Sequence, residues 1–301
     1  MSAKLAPVPA TRVPKTVMPP SPSLWQAAWR RLIRRPTAVL SMIYIAVLIL
    51  AALFAKQIAP YPPDFQDYSA LRLNPFTAGH VMGTDTLGRD IFSRMIYGTR
   101  ISMSVAGVVL VIAVAIGLTL GLLAGYYGGL IDMAIMRLTD IMFAFPDLLL
   151  ALLIMGIRGP GMPNLFIALG IVAWPNLARL VRGQVLSLKE ADFIQAAQSL
   201  GSNDRRIIIR HLLPNLMSPV LVTGTLSVAG VILSEATLSF LGIGIRPPTP
   251  SWGSMLNEMI AMIYSQPVLL VGPSLILAVT VLAFNFLGDG LRDALDPRLQ
   301  R

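Results

Sequence analysis

No cysteine occurs in the chain, which excludes disulfides, thiolate metal ligands and cysteine nucleophiles. Histidine is nearly as scarce: His80 and His211 are the two copies, and no H-E-x-x-H string joins them into a zinc hydrolase motif. A G-x-x-x-x-G-K-[ST] string is also missing, so nothing here cradles a nucleotide phosphate as a P-loop does. The serines are dispersed and none has a base nearby. No catalytic residue, metal site or bound cofactor is therefore assigned. Charge is sparse as well, at 13% of 301 residues against about 25% in soluble domains. With 55% hydrophobic residues and a mean hydropathy of +0.69, the chain reads as an integral membrane protein. Its net charge of +9 sits beside apolar runs, which fits membrane orientation and not nucleic acid.

The apolar runs predict an all-α polytopic membrane protein with six transmembrane helices, at 37–55, 101–125, about 130–156, 164 to about 180, 215 to about 241 and 268 to about 287. Residues 1–36 form a cytoplasmic tail and an interfacial helix. Within it, residues 1 to about 23 read as a disordered tail, and Trp25 and Trp29 face lipid while Arg30, Arg31, Arg34 and Arg35 face headgroups. Residues 56–100 make an extracytoplasmic segment that ends in a turn and an amphipathic helix lying along the membrane. A core at 101–288 holds the remaining five spans, and 289–301 is a second cytoplasmic tail. Placing both ends in the cytoplasm puts sixteen Lys or Arg on that side and seven on the other, with Arg137 inside a span.

Three features of the spans carry further expectations. Gly117, Gly121 and Gly125 recur every four residues, with Gly129 continuing the interval, and predict a flat stripe for close helix packing. The third span holds Asp132, Arg137, Asp140 and Asp147, which are costly at membrane depth and must pair or face water. Arg137 and Asp140 are three apart and share a helix face, so they read either as a structural pair or as a polar lining of a pathway. Phe145-Pro146 is expected to kink or loosen that span. Glu235 is a further intramembrane acid, again structural or pathway-lining.

A polar island interrupts the apolar pattern at 187–214, SLKEADFIQAAQSLGSNDRRIIIRHLLP. It predicts two short helices, the first ended by Gly201 and the second capped by Ser202 or Asn203. Phe193, Ala196, Ala197 and Leu200 make one small apolar face, and Ile207, Ile208, Leu212 and Leu213 make another. Pro214 marks a turn into the next span. From pattern alone the island is equally a solvated loop or a docking surface.

Its spacing resembles the cytoplasmic coupling loop of binding-protein-dependent ABC importer permeases: Glu-Ala-Ala, three residues, Gly, nine residues, Ile, one residue, Leu-Pro. Here the positions are Gln195-Ala196-Ala197, Gly201, His211 and Leu213-Pro214, with Gln195 in the acidic place and His211 in the aliphatic one. The strings MGTDTLGRDIFSRMIYGTR at 82–100 and GIGIRPPTPSWG at 242–253, and the tail from 288, are similar to dipeptide and oligopeptide permease subunits of the C type. This resemblance implies a type I ABC importer permease fold in a bacterial inner membrane. It further implies that Gln195, Ala196, Ala197, Gly201, Ser202, Asp204, His211, Leu213 and Pro214 couple to an ATPase. The partners implied are a homologous second permease, two ABC ATPase subunits that carry ATP and Mg, and an extracytoplasmic substrate-binding protein, all in membrane lipid. The cargo implied is a di- or oligopeptide, although nickel and glutathione importers resemble this group. An ATPase-independent channel or membrane scaffold is the alternative from another class.

Overall fold

A computed structural model describes residues 24–296; the expectations for 1–23 and 297–301, and for the Trp25 side chain, lie outside the described residues. The described residues form helices α1 (Leu24–Leu32), α2 (Pro36–Leu53), α3 (Ala55–Ile58), α4 (Ile91–Tyr127), α5 (Gly129–Phe143), α6 (Asp147–Arg158), α7 (Met162–Lys189), α8 (Asp192–Ser199), α9 (Asp204–Arg206), α10 (Leu213–Phe240), α11 (Trp252–Met259) and α12 (Val268–Leu295). A π-helical turn, Ile207–Leu212, joins α9 to α10. Five of these elements, α2, α4, α7, α12 and the continuous Asp204–Phe240 run, are long and apolar enough to cross a membrane.

The sixth crossing is broken. α5 and α6 meet at 87°, at Phe145-Pro146, where a kink or local loosening of one span is expected. Pro146 is the N-cap of α6; its ring disfavours helical backbone at the preceding residue and its missing N–H removes a ladder bond. The pair still runs from one end of the bundle to the other. At its start Asp132 bonds Arg182, near the end of α7, and just beyond its end Gly161 N–H donates to the Gly244 carbonyl in the loop after α10.

α4 begins ten residues earlier than the apolar run at 101–125, so the expected surface helix is instead the N-terminal end of one 37-residue rod. Asp90 caps it by accepting from Ser93 N–H at 2.7 Å. Its two arginine neighbours, Arg89 and Arg94, do not force it onto the surface because both are buried against acids. Arg89 Nε donates to Asp85 Oδ2 at 2.7 Å, Arg94 Nη2 donates to Glu258 of α11 at 2.8 and 3.0 Å, and Arg89 also bonds Glu258. Gly88 (φ +72°) closes the turn before them, where a Cβ would meet the Asp67 carbonyl oxygen at 1.9 Å.

The core runs along α4. Toward its middle and N-terminal half, Val105, Val109, Leu165, Ile232 and Trp252 join α4, α7, α10 and α11. Toward the other end, Leu177, Val181, Val185, Ile207, Leu212 and Leu216 join α7 to the π turn and α10. Cβ atoms on Gly117, Gly121 and Gly125 would come within 2.7, 2.6 and 2.7 Å of α7, at Leu177, Ala178 and Val185. Backbone is thus pressed on backbone for more than two turns, the contact that lipid itself cannot drive. Gly129 is not part of it; α4 has ended by then and open space surrounds its Cβ position. α1 buries Ala28 and Leu32 against α12, leaving Trp29 57% exposed.

Candidate functional site

The island at 187–214 folds as a foot beneath α7 and α10. α7 runs nine residues past its expected end, because Arg179 and Arg182 have acids waiting on α5. Arg179 Nη2 meets Asp140 at 2.9 Å and lies over the Phe143 ring at 4.3 Å, and Arg182 Nη2 meets Asp132 at 2.6 Å. The expected Arg137–Asp140 pair is therefore absent: Asp140 faces α7 and Arg137 is exposed. An arginine preceding its acid on a helix is also the weaker order for such a pair.

After Lys189 the chain turns into α8. The first helix ends as the glycine predicts. Gly201 adopts φ +76°, and Ser202 N–H donates back to the Ala197 carbonyl at 3.1 Å while Gly201 N–H reaches Gln198 at 2.9 Å. This is the left-handed stop that closes a helix. Asn203, and not Ser202, caps the next helix, its side chain accepting from Arg206 N–H at 2.9 Å. No turn follows at Pro214. The helix from Asp204 continues through the π turn into α10, and the wider turn lies just before the proline, whose ring and missing N–H disrupt the ordinary ladder.

The faces of α8 differ from the expected pattern. Ile194 is fully buried and Ala197 nearly so, whereas Phe193 is 45% exposed and Leu200 87% exposed. Ile194 packs with Ile207, Leu212 and Val185, so it is the anchor of the foot. Gln195 and Ala196 are exposed beside Leu200. Gln195 Nε2 donates to the Glu190 carbonyl at 3.2 Å, which keeps its side chain on the α8 surface. His211 is half-buried with its ring 6.4 Å from that of Phe193. Leu213 is half-buried and Pro214 exposed at the root of α10.

Two residues outside the sequence motif complete the foot. Tyr126, at the end of α4, donates from its hydroxyl to Asp204 at 2.8 Å, and its carbonyl accepts from Lys189 Nζ at 2.7 Å. Lys189 also lies 5.5 Å over the Tyr126 ring. One tyrosine thus ties α4 to both halves of the island, before and after Gly201. A basic residue just before the motif and an acid just after its glycine were visible in the sequence, but their shared partner 63 and 78 residues away was not.

Of the remaining polar residues, Asp147 is exposed in the first turn of α6. Glu235 is fully enclosed, accepting from Ser102 of α4 at 2.9 Å and from Ser239 at 2.8 Å. Trp252 N–H at the start of α11 also donates to Ser102 Oγ at 3.5 Å, so Glu235 and Ser102 together link α10, α4 and α11. Among the described residues no group of three His, Asp or Glu side chains is placed to hold a metal ion.

Residues 117–301 match the family described as the binding-protein-dependent transport system inner membrane component, and residues 23–75 match the N-terminal TM domain of oligopeptide transport permease C. Among curated proteins, the chain is 45% identical over 299 residues to the glutathione transport system permease protein GsiD of Pectobacterium atrosepticum, covering 99% of this chain and 97% of that one. It is 47% identical over 277 residues to the protein of the same name from Escherichia coli O6:K15:H31, covering 92% and 91%. A solved structure of the MetNI methionine ABC transporter in an inward-facing conformation aligns with a TM-score of 0.56 at 17% identity, over 68% of this chain and 98% of that one. That likeness concerns the fold.

Proposed function

The chain belongs to the family of binding-protein-dependent transport system inner membrane components, and we propose that it forms half of the translocation pathway of a peptide importer, driven by ATP hydrolysis on partner subunits. It carries no nucleotide motif of its own and acts as the moving wall, not the motor. The observation that carries this reading is the division of faces on α8. Ile194 is fixed in the core shared by α7 and α10, while Leu200, Phe193 and Gln195 are exposed on the outside of the same short helix. A surface that is rigidly tied to two spans and presents exposed apolar groups suits a groove on another protein.

In this reading an ATPase subunit, holding ATP and Mg, receives the foot, and a second ATPase serves a homologous second permease. An extracytoplasmic binding protein delivers cargo at the end where α11 lies. Residues 101–288 act as the permease core and 187–214 as its coupling loop. Both termini lie in the cytoplasm, a placement supported by the excess of Lys and Arg at that end. Transmission requires that the ATPases grip the foot differently in two states, since only differential contact shifts a conformational equilibrium. The cargo is a short peptide; the name carried by the curated relatives favours glutathione, a tripeptide.

The absence of cysteine makes the test direct. A single Ser202→Cys variant is expected to react with an impermeant maleimide in inside-out vesicles and to be protected when the ATPase subunits are bound. Reaction from the outer face of intact cells would overturn the orientation, and equal reaction with and without ATPase would overturn the docking.

A further inference from the structure

A cavity of about 740 Å³ opens between α1, α7, α10 and the last turn of α12, at the same end of the bundle as the foot. Its wall is amphiphilic. Leu180, Pro219, Val222 and Leu226 line one part, and Gln184 and Ser218 add polar groups that bond no other described residue. Two guanidiniums from opposite ends of the chain, Arg31 and Arg292, line it as well. Arg31 Nη1 reaches the Asp296 carbonyl oxygen at 3.5 Å, and Arg292 forms no ion pair with a described residue. Asp296 lines the same cavity, so two cationic side chains stand there against one carboxylate.

We propose that this cavity holds the headgroup of an anionic phospholipid, with its phosphodiester between Arg31 and Arg292 and the start of an acyl chain along Val222 and Leu226. The inference rests on the cytoplasmic placement given under Proposed function. Guanidinium forks match phosphate oxygens in geometry as well as charge, and basic pockets between spanning helices on the cytoplasmic side are suited to such headgroups. The apolar wall favours a lipid over free phosphate, because a small anion leaves that surface uncovered. The chain's own ends are poor occupants: residues 1–23 hold Lys4, Arg12 and Lys15, residues 297–301 hold Arg298 and Arg301, and neither segment contains Asp or Glu. The site touches α7 just above the foot and α10 just beyond Pro214, so an occupant there braces the two helices that the foot joins.

The test uses the assembled transporter purified in detergent, with native mass spectrometry reading retained phosphatidylglycerol against phosphatidylcholine. Phosphatidylglycerol is expected to be retained about tenfold more strongly. The preference should fall to none in Arg31→Gln/Arg292→Gln, persist in part in Arg31→Lys/Arg292→Lys, and persist fully in Arg34→Gln, which lies outside the cavity. Val222→Trp, which fills the apolar wall without touching charge, should also lower it. Equal retention of the two lipids, or an undiminished preference in the glutamine pair, overturns the proposal. Displacement by millimolar inorganic phosphate makes the site one for small anions and overturns the lipid assignment. A several-fold gain on truncation after Asp296 makes the tail the occupant, with the same consequence. Maleimide labelling of Ser202→Cys in inside-out vesicles and intact cells, before solubilisation, reports orientation separately from lipid retention.

Discussion

Arg94 and Glu258 lie 164 residues apart and meet through two hydrogen bonds from one guanidinium nitrogen, with the arginine side chain wholly out of solvent. Together with Arg89 and Asp85 they balance two positive charges against two negative ones in a closed space. Removing one partner strands a buried charge, so Glu258→Ala is expected to cost about 3 kcal/mol or more. Replacing the pair with Arg94→Met/Glu258→Leu leaves the neutral Arg89–Asp85 couple and should recover most of that loss. Thermal unfolding in detergent checks both; a double variant no better than the single would show that the pair acts through something other than its charge.

The glycine seam between α4 and α7 makes a position-specific prediction. Gly121→Val places atoms where Ala178 and Val181 already stand, at 2.6 and 2.7 Å from the first added carbon, and overpacking of this kind costs roughly 1–3 kcal/mol or more. Gly107 is on the same helix with nothing within 4 Å, so Gly107→Ala should be neutral. Melting temperatures of the two purified variants separate crowding from any general cost of removing glycine.

At the foot, the anchor and the contact face should separate. Ile194→Asp introduces an unpaired charge into the core under α7 and is expected to reduce folded protein in the membrane. Leu200→Asp sits in solvent and should leave insertion and melting unchanged while cargo uptake falls, measured by reconstituted transport with ATPase activity read alongside. Normal uptake by Leu200→Asp would remove the exposed face from the coupling scheme.

Gly201 tests backbone against contact. Its Cβ position is open space, but its left-handed backbone disfavours ordinary residues by about 1–2 kcal/mol. Asparagine tolerates that conformation and valine does not. Gly201→Asn should therefore keep uptake and Gly201→Val should lose it; equal loss in both would assign the effect to contact with a partner.

For Glu235, the enclosed setting predicts a structural role. Gln can still accept from Ser102 or Ser239, so Glu235→Gln should insert and melt near the parent. Glu235→Ala leaves those hydroxyls without their acceptor at about 1–3 kcal/mol. Uptake lost in the glutamine variant with melting intact would instead favour a pathway role.

Much of this fold was legible because burial in lipid demands long uninterrupted apolar runs, and the seam and the hinge each depend on glycine for a reason that is local. Where structure and sequence differ, the deciding partner is distant. Hydropathy starts the second span after Arg100 because Arg89 and Arg94 interrupt the apolar run, and what neutralises them is Asp85 and an acid on α11. Spacing alone offers Asp140 a partner within its own helix, whereas Arg179 is 39 residues away. Helical spacing runs the apolar face of α8 through Phe193 and Leu200, whereas Ile194, with Ala197, reaches the core. At Pro146 local chemistry gave the place of the break, and only packing fixed its size.

The seam has a mechanical consequence. Two helices that touch backbone to backbone for more than two turns resist sliding past each other, so under the proposed coupling a push at the foot would move them as one strut. α4 runs about 55 Å at 1.5 Å per residue, and near its first turn the Arg94–Glu258 buckle fastens it to α11, so the proposed coupling scheme has one continuous rod from the foot to α11.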